Sequence, residues 1–440
     1  MKIVMQRDRF NIIHIIGHDM GRHLGCYGVK INTPNYDRIA SLGIKFNNYF
    51  CSCPTCSPSR GSIITGLYPH NNGLVGLAHL GWRIDPRVKK LPEYLNELGY
   101  ETYLIGLQHE APRGEEGSLG YKNIITVPPY IEACYFALRE SIDNILSKDK
   151  PFFINIGTIA AHRPYTDYKS GNIYNPDNPL EVEIPPYLPD KQGIREDIAY
   201  LNGLIKKEDE YVGKIFDLLE EKDLLNNTLL VLTTDHGIAM PRAKGMCYDP
   251  GIGTFLIMYM KGRYEGGKEY NELLSNVDLL PTYLEFVGGR IPNRLDGKSF
   301  LPLINGDEYR ERDYIFAELT WHDRYNPIRV VRTKKFKYIR NFGKRPKIYL
   351  PRDIFTGKSG YSMFEECYYF VREKEELYDL EKDPWEKTNV INLPEYKDIA
   401  DTLKKILDEW MISTNDPLLK GDIPPNNIQL EREINDRYNN

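Results

Sequence analysis

The feature that most limits what this 440-residue chain can fold into is a repeated pattern, in which a short apolar run ends in a loop carrying histidine or aspartate. A continuous apolar run is typical of a strand that is buried on both faces. Helical patterns separate these runs, and strands alternating with helices favour a mainly parallel sheet covered by helices on both sides. The apolar runs are Asn11–Gly17, Glu101–Ile105, Pro151–Ile156 and Thr228–Thr233, and the helical patterns include Thr33–Ala40, Leu91–Tyr100 and Lys206–Leu225.

The loops that follow these runs carry polar side chains suited to chemistry. In a parallel sheet the carboxyl ends of the strands lie at one edge, and ligand sites form in the loops at that edge. We therefore expect one site to be built from loops that are far apart in the chain. These loops are Gly17–Asp19, Gly106–His109, Ala161-His162 and Asp235-His236.

A second unit is expected after residue 306, where the sequence becomes charged and polar. The pattern predicts domains at residues 1–306 and 307–440, the second with antiparallel strands and a closing helix. Asn341–Gly360, rich in Lys, Arg, Pro and Gly, is predicted to be a loop. The predicted strands are Tyr314–Glu318, Ile328–Arg332 and Lys335–Arg340, and the closing helix is Tyr396–Trp410.

The overall composition excludes several classes of partner. The chain has 57 Lys+Arg against 62 Asp+Glu and a net charge of −5, and it contains no long basic run, so nucleic acid is not an expected partner. No apolar run reaches membrane length, so no membrane is expected either. Met1–Phe10 lacks the pattern of an export leader, which predicts a cytoplasmic protein. Seven cysteines at irregular spacing do not indicate a disulfide framework.

One segment carries more chemical information than any other. Cys56–Gly66 has the sequence Cys-Ser-Pro-Ser-Arg-Gly-Ser-Ile-Ile-Thr-Gly. It resembles the Cys-x-Pro-Ser-Arg…Thr-Gly motif of type I sulfatases, in which a maturation enzyme oxidises the cysteine to formylglycine. Thr233–Gly237 and Asn276–Thr282 resemble later segments of the same family. Within it, Cys56–His70, Ile328–Arg332 and Thr414–Pro417 are most similar to the heparan N-sulfatase branch.

This resemblance implies an alkaline-phosphatase-like α/β fold, a mainly parallel sheet sandwiched by helices with a smaller C-terminal α+β subdomain. It also implies a formylglycine-generating enzyme as a partner and a divalent cation as cofactor. Hard cations prefer several oxygen ligands. Asp19 and Asp235 supply carboxylates, the hydrated formylglycine at Cys56 supplies another oxygen, and His18 and His236 are further candidate ligands. Ca²⁺ is expected from the resemblance. His18 and His236 replace the family's usual Asp and Asn. Because imidazole nitrogens also suit other divalent metals, Mg²⁺, Mn²⁺ and Zn²⁺ are alternative cations for the site.

The resemblance also implies residues that act on the sulfate. If Cys56 begins a helix, the i,i+4 spacing places Arg60 on the same face. His109 matches the histidine that contacts the formylglycine, and His162 is the expected leaving-group acid. Lys244 follows Asp235 at the family's spacing and should hold the sulfate.

Further substrate ligands are expected beyond this set. The family's sulfate-binding lysine is replaced by Leu107, and Arg163 is a candidate substitute. His322 and Arg329, from the second unit, are expected to bind substrate.

The predicted activity is hydrolysis of a sulfate ester or sulfamate on a sulfated sugar, with N-sulfoglucosamine as one candidate. Two alternatives stay open. The first is a phosphonate monoester or phosphodiester hydrolase of the same superfamily, which the departures at Leu107 and His236 motivate. The second is a carbohydrate-binding protein in which Cys56 is never oxidised.

Overall fold

The structure, a computed structural model, describes residues 9–159, 161–167 and 169–438, and its main element is an eight-stranded sheet with the order β5-β4-β6-β1-β7-β8-β2-β9. Residues 1–8, on which the expectation of a chain without an export leader largely rests, lie outside the described residues. The strands are β1 (Asn11–Gly17), β2 (Ile44–Phe46), β3 (Tyr49–Phe50), β4 (Glu101–Gly106), β5 (Asn123–Ile125), β6 (Phe152–Gly157), β7 (Thr228–Thr234), β8 (Leu256–Tyr259), β9 (Lys268–Tyr270), β10 (Leu274–Ser275), β11 (Ile315–Trp321), β12 (Tyr325–Arg332), β13 (Phe336–Asn341) and β14 (Glu375–Asp379).

Strand β1 lies near the centre of this sheet and pairs in parallel with β6 on one side and β7 on the other. Strand β4 pairs in parallel with β6, so the carboxyl ends of β4, β6, β1 and β7 lie at one edge. Strand β8 runs antiparallel to β7. The predicted mainly parallel sheet is therefore confirmed, and the loops after its strands meet as expected.

Helices cover both faces of the sheet. Alternate residues of β1 enter different cores, with Ile13 and Ile15 in one and Ile12 and Ile16 in the other, as the two-residue period of a strand requires. Among the described residues, no helix has the length and apolar character needed to cross a membrane. The helices are α1 (Pro34–Leu42), α2 (Cys56–Thr65), α3 (Pro69–Asn72), α4 (Leu91–Glu97), α5 (Ile131–Leu146), α6 (Gln192–Glu221), α7 (Asp249–Ile252), α8 (Leu279–Phe286), α9 (Leu301–Asn305), α10 (Arg352–Phe355), α11 (Lys358–Ser362), α12 (Phe364–Tyr368), α13 (Lys397–Ser413) and α14 (Asn427–Tyr438).

The C-terminal part contains an antiparallel sheet with the order β11-β12-β13-β14. Helix α13 packs its apolar side, including Leu407 and Trp410, into the core of this sheet. The segment 341–360 was predicted to be a loop, which is wrong, since it contains α10 and the start of α11. These helices have four and five residues, too few to display a helical period in the sequence. Helix α14 was not predicted.

Arg329 does not bind substrate in this structure, and that expectation is corrected. Its side chain is fully buried on β12 and forms an ion pair with Asp416, which follows α13. Its Nη1 also donates to the carbonyl oxygens of Leu319 and Ile328, at 2.9 and 3.0 Å. The guanidinium is thus committed to joining the sheet to the C-terminal segment.

Replacing Arg329 by methionine is expected to lower the free energy of unfolding by about 3–5 kcal/mol, because the carboxylate of Asp416 would be left buried without a cation. Denaturant-induced unfolding followed by fluorescence measures this. The matched control, Arg87→Met, removes a guanidinium that is 89% exposed beside Asp85, and it should leave the free energy of unfolding nearly unchanged. Equal costs for the two variants would contradict the structural role of Arg329.

Candidate active site

Helix α2 begins at Cys56, and its N-terminus lies at the edge of the sheet where β1 and β7 end. Arg60, one turn later and fully buried, donates from Nε to Asp235 Oδ2 at 2.9 Å and from Nη2 to the carbonyl of Gly17 at 3.0 Å. Ser59 Oγ donates to the main-chain oxygen of Asp235. These bonds attach the start of α2 to the ends of both central strands.

Five side chains converge beside Cys56. Ligand-type atoms of His18, Asp19, Cys56, Asp235 and His236 all lie within 4.8 Å of one another, and all five residues are buried. Asp19 adopts a left-handed backbone conformation with φ of 55°, which is uncommon for a residue other than glycine. The structure thus brings together every residue that the sequence analysis named as a candidate metal ligand.

The donor atoms of this cluster fit a cation. Within the described residues, both ring nitrogens of His18, Oδ1 of Asp19 and Nε2 of His236 have no hydrogen-bond partner. His236 Nδ1 donates to the carbonyl of Gly237 at 2.9 Å, which leaves Nε2, 3.1 Å from Asp19 Oδ1, as the ring nitrogen that faces the cluster. An imidazole nitrogen and a carboxylate oxygen that lie this close in a buried site, with the other ring nitrogen bonded to a main-chain carbonyl, can both be ligands of one cation.

The protonation states agree with this fit. Burial, followed by repulsion from His162 and Arg60, holds the pKa of His18 well below its usual value, so the ring is neutral and able to bind a metal. Burial alone would raise the pKa of Asp235, but His236 and Arg60 lower it to about 2, so this carboxyl group is ionised.

Lys244 connects this cluster to the C-terminal part of the chain. Its Nζ lies 2.7 Å from Asp19 Oδ2 and 2.8 Å from Oδ2 of Asp353 on α10. Burial acts to lower the pKa of Lys244, but these two carboxylates hold it well above its usual value. The ammonium group is therefore charged at neutral pH.

Two more predicted histidines pack against the cluster. The rings of His109 and His162 lie edge-on to His18, with centroids 5.0 and 4.8 Å away. Burial is the main cause that lowers the pKa of both rings, with Arg60 next for His109 and Lys244 next for His162. The Nδ1 of His162 donates to the carbonyl of Arg163, which leaves Nε2 as its free nitrogen.

Cys56 lines a cavity of about 270 Å³, close to the lower limit for small-molecule sites. Four other predicted residues line it as well, namely His109, His162, Lys244 and His322. The sequence analysis missed several further lining residues, chiefly Asp323, Arg352, Asp353 and Arg432. Asp353 belongs to a segment that had been predicted to be a loop, and Arg432 belongs to the unpredicted helix α14, so no strand-end pattern pointed to either.

The imidazole of His322 is hydrogen-bonded to a carboxylate. Its Nδ1 lies 3.0 Å from Asp323 Oδ1, so this nitrogen carries the proton and Nε2 is the other ring nitrogen. The second carboxylate oxygen of Asp323 accepts from the backbone N–H of Arg352, at the start of α10. Burial alone would raise the pKa of Asp323, but His322 lowers it overall.

Arg163 is not a substrate ligand in this structure, which corrects that prediction. Its Nε donates to the carbonyl of Ala239 at 2.8 Å, and its Nη2 bonds to Asp197 at 2.6 Å and to Ser359 at 2.8 Å. Leu107, at the position of the family's lysine, is buried and does not line the cavity. Neither residue lines the cavity that contains Cys56.

Comparison with known proteins identifies the class. The family model described as Sulfatase matches residues 10–289, and the model described as N-sulphoglucosamine sulphohydrolase, C-terminal, matches residues 240–351. An ulvan-active sulfatase of Formosa agariphila is 32% identical over 93% of this chain and 81% of its own length. The chain therefore belongs to the sulfatase family.

Its place within the family is near the N-sulfoglucosamine branch. The N-sulphoglucosamine sulphohydrolase of Homo sapiens is 26% identical over 92% of this chain and 91% of its own length. A solved 2-O GAG sulfatase shares the fold, with a TM-score of 0.73 and 21% identity, covering 96% of each chain. The predicted family and fold are thereby confirmed, and the protein is a sulfatase.

The cluster is expected to hold one divalent cation, and Asp235→Asn should lose it because the variant removes an ionised ligand. Elemental analysis of purified protein measures the metal content. A chelator should lower the thermal midpoint of the unaltered protein but not that of the variant.

The control for this prediction is Glu208→Gln. Glu208 is also fully buried and has one oxygen without a partner in the described part of the chain, but it lies outside the cluster. The control should keep the metal. Equal metal content in both variants would show that the cation is bound elsewhere.

Proposed function

We propose that this sulfatase uses formylglycine, formed from Cys56, to release sulfate from an ester or sulfamate of a sulfated sugar. The main support is the position of Cys56 at the start of α2, where it contacts the candidate metal cluster and lines the cavity. The N-terminus of a ten-residue helix is also a favourable place for an anion, because the helix dipole gives this end a partial positive charge.

The thiol of Cys56 is a poor nucleophile where it lies. Burial raises its pKa well above the usual value, although Lys244 opposes this shift, so the reactive thiolate is strongly disfavoured. A hydrated formylglycine would supply a hydroxyl group that can attack sulfur. A divalent cation held by His18, Asp19, Asp235 and His236 would supply a positive charge that makes this hydroxyl more acidic.

Two fixed cations stabilise the negative charge that develops during attack on sulfur. Lys244 lines the cavity and is held between two carboxylates, so its ammonium needs no rearrangement to act. Arg60 lies below Cys56 and is held by Asp235 and Gly17. Both are therefore preorganised before substrate arrives.

The leaving atom needs a proton, and of the four histidines that line the cavity, His162 and His322 are the two for which the described residues provide an acceptor at Nδ1. Nδ1 of His162 is hydrogen-bonded to a backbone carbonyl, whereas Nδ1 of His322 is hydrogen-bonded to the carboxylate of Asp323. A carboxylate stabilises the imidazolium form more strongly than a carbonyl does. We therefore assign the proton transfer to His322, with His162 contacting the sulfate.

The substrate class follows from the relatives. The C-terminal family model and the human relative are named after N-sulphoglucosamine, and a more similar relative is named after ulvan. We propose a sulfated sugar with N-sulfoglucosamine as the first candidate, and Ca²⁺ as the cation. The maturation enzyme that would oxidise Cys56 and the cytoplasmic location belong to the same proposal.

Protein in which Cys56 has been oxidised is expected to release sulfate from an aryl sulfate faster than it cleaves an aryl phosphonate. Cys56→Ala should lower the rate by about 10⁴-fold or more, because the nucleophile is lost. Cys51→Ala, which removes another buried thiol, is the matched control and should remain active. Faster turnover of the phosphonate would indicate the phosphonate-hydrolase alternative.

Peptide mass spectrometry of protein from its native host provides an independent check. Exchange of the sulfur of Cys56 for an aldehyde oxygen supports the proposal. An unmodified Cys56 would instead support the non-catalytic carbohydrate-binding alternative.

His322→Gln is expected to lower kcat on a sugar sulfate or sulfamate by about 10²–10⁴-fold. It should lower kcat much less on a nitrophenyl sulfate, whose leaving group needs no proton. His79→Gln, a cavity histidine for which the described residues provide no carboxylate partner, is the control and should affect both substrates alike. If His162→Gln shows the leaving-group dependence and His322→Gln does not, His162 is the acid.

A further inference from the structure

The cavity has a second charged region, on the side where helix α14 packs. Its wall there is formed by His79, His322 and Arg432, and Arg432 comes from α14, the last helix of the chain. Among the residues that the structure describes, no carboxylate forms an ion pair with Arg432. Lys244, by contrast, is held by two carboxylates. Within the described residues, Arg432 is therefore a half-buried cation without a matching anion.

Helix α14 is fixed against the cavity. Gln429 is fully buried, and its Nε2 donates to the main-chain oxygen of Asp323 at 3.0 Å. Asp323 is the residue whose side chain holds His322. Arg432 follows Gln429 by three residues, a spacing that places both on the same face of a helix. The position of Arg432 at the cavity is thus set by a buried contact.

The electrostatic influence of Arg432 marks which end of the cavity it occupies. Burial lowers the pKa of His79 to about 4, and His322 and Arg432 are the next largest causes. At Cys56 the cations that act most strongly are Lys244 and Arg60 instead. The start of α14 packs against the turn that carries His79, with Ile428 and Asn426 beside Gly81. On this packing Arg432 is assigned to the His79 side of the cavity.

We propose that Arg432 binds a second anionic group of the substrate, a carboxylate or another sulfate, while the sulfate to be cleaved lies at Cys56. This inference rests on the proposed function and specifies which sulfated sugars the site prefers. A planar guanidinium pairs with both kinds of oxyanion through two parallel hydrogen bonds. A partly buried cation without a counter-ion gains most from such a pair, because its desolvation has already occurred in the free enzyme.

Arg432 is not a substitute for the family lysine that Leu107 replaces. A substitute would act on the same sulfate as Lys244, and every sulfated substrate would then depend on it equally. A cation at the His79 end instead distinguishes between substrates. Arg432→Gln would weaken all sulfated substrates alike if Arg432 bound the cleaved sulfate, but only the doubly anionic ones if it binds a second anionic group.

The test compares three ligands that share one N-sulfate: N-sulfoglucosamine, its 6-O-sulfated form, and an N-sulfated disaccharide that carries a uronate carboxylate. The ratio of kcat/KM for each doubly anionic ligand to that for N-sulfoglucosamine is the readout. We expect at least one ratio of about tenfold or more, the usual contribution of a charged hydrogen-bonded pair. The ligand that shows this tenfold ratio tells whether Arg432 binds a second sulfate or a carboxylate.

Arg432→Gln should bring this ratio close to one, and Arg432→Lys should keep part of it, since it retains the charge but not the fork of donors. Arg139→Gln is the matched control. It removes an exposed arginine of α5 that lies far from the cavity lining, and it should keep the full ratio. An unchanged ratio in Arg432→Gln, or an equal loss with all three ligands, would overturn the proposal.

Calorimetric titration of the Cys56→Ala variant separates this inference from the proposed function, because it needs no turnover. Tighter binding of a doubly anionic ligand that disappears with Arg432→Gln supports the inference even if none of the three ligands is hydrolysed. Equal affinity for the three ligands, or no binding of any, would overturn it. If N-sulfoglucosamine is hydrolysed but Arg432→Gln changes no ratio of kcat/KM, the sulfatase proposal is supported and the role of Arg432 is contradicted.

Discussion

The buried ion pair between Arg60 and Asp235 holds together the segments from which the site is made. Arg60 belongs to α2, Asp235 follows β7, and the same guanidinium bonds to Gly17 at the end of β1. Removing either charge would leave the other buried without compensation, which costs several kcal/mol. The nearby pair of Lys244 with Asp19 and Asp353 extends this charge network to α10, in the C-terminal part. The carboxylates of Asp235 and Asp353 can therefore remain ionised in the interior, and an ionised carboxylate is what a hard cation binds.

Much of the sheet could be predicted, because an apolar run is a local property of the sequence. The strands at Asn11–Gly17 and Thr228–Thr234 and the polar residues after them were recognisable for this reason. The roles of Arg163 and Arg329 could not be predicted, because each depends on a remote carboxylate, Asp197 or Asp416. An arginine beside a motif looks the same in sequence whether it faces a ligand or a buried partner.

The residues of the cavity that come from the C-terminal part of the chain, here called its wall, were harder to predict than those at the ends of the central strands, its base. Asp353 and Arg432 belong to a short helix and to the last helix, and neither resembles a strand-end motif. Their positions follow from how the C-terminal part docks, through contacts such as Gln429 with the backbone of Asp323. The base is therefore set by the central sheet, whereas the wall is set by packing between distant segments, and selectivity between sugars is expected to reside mainly in that wall.

The central position of β1 has a consequence for the order of events during synthesis. The backbone of Asp19 bonds to the side chain of Asp235, 216 residues later in the chain, so this edge of the sheet cannot close until β7 has left the ribosome. Contacts of such long sequence range form late in folding. Cys56 is only 3% exposed once the sheet is complete. An enzyme that modified this cysteine would find it more accessible before β7 pairs with β1 than afterwards.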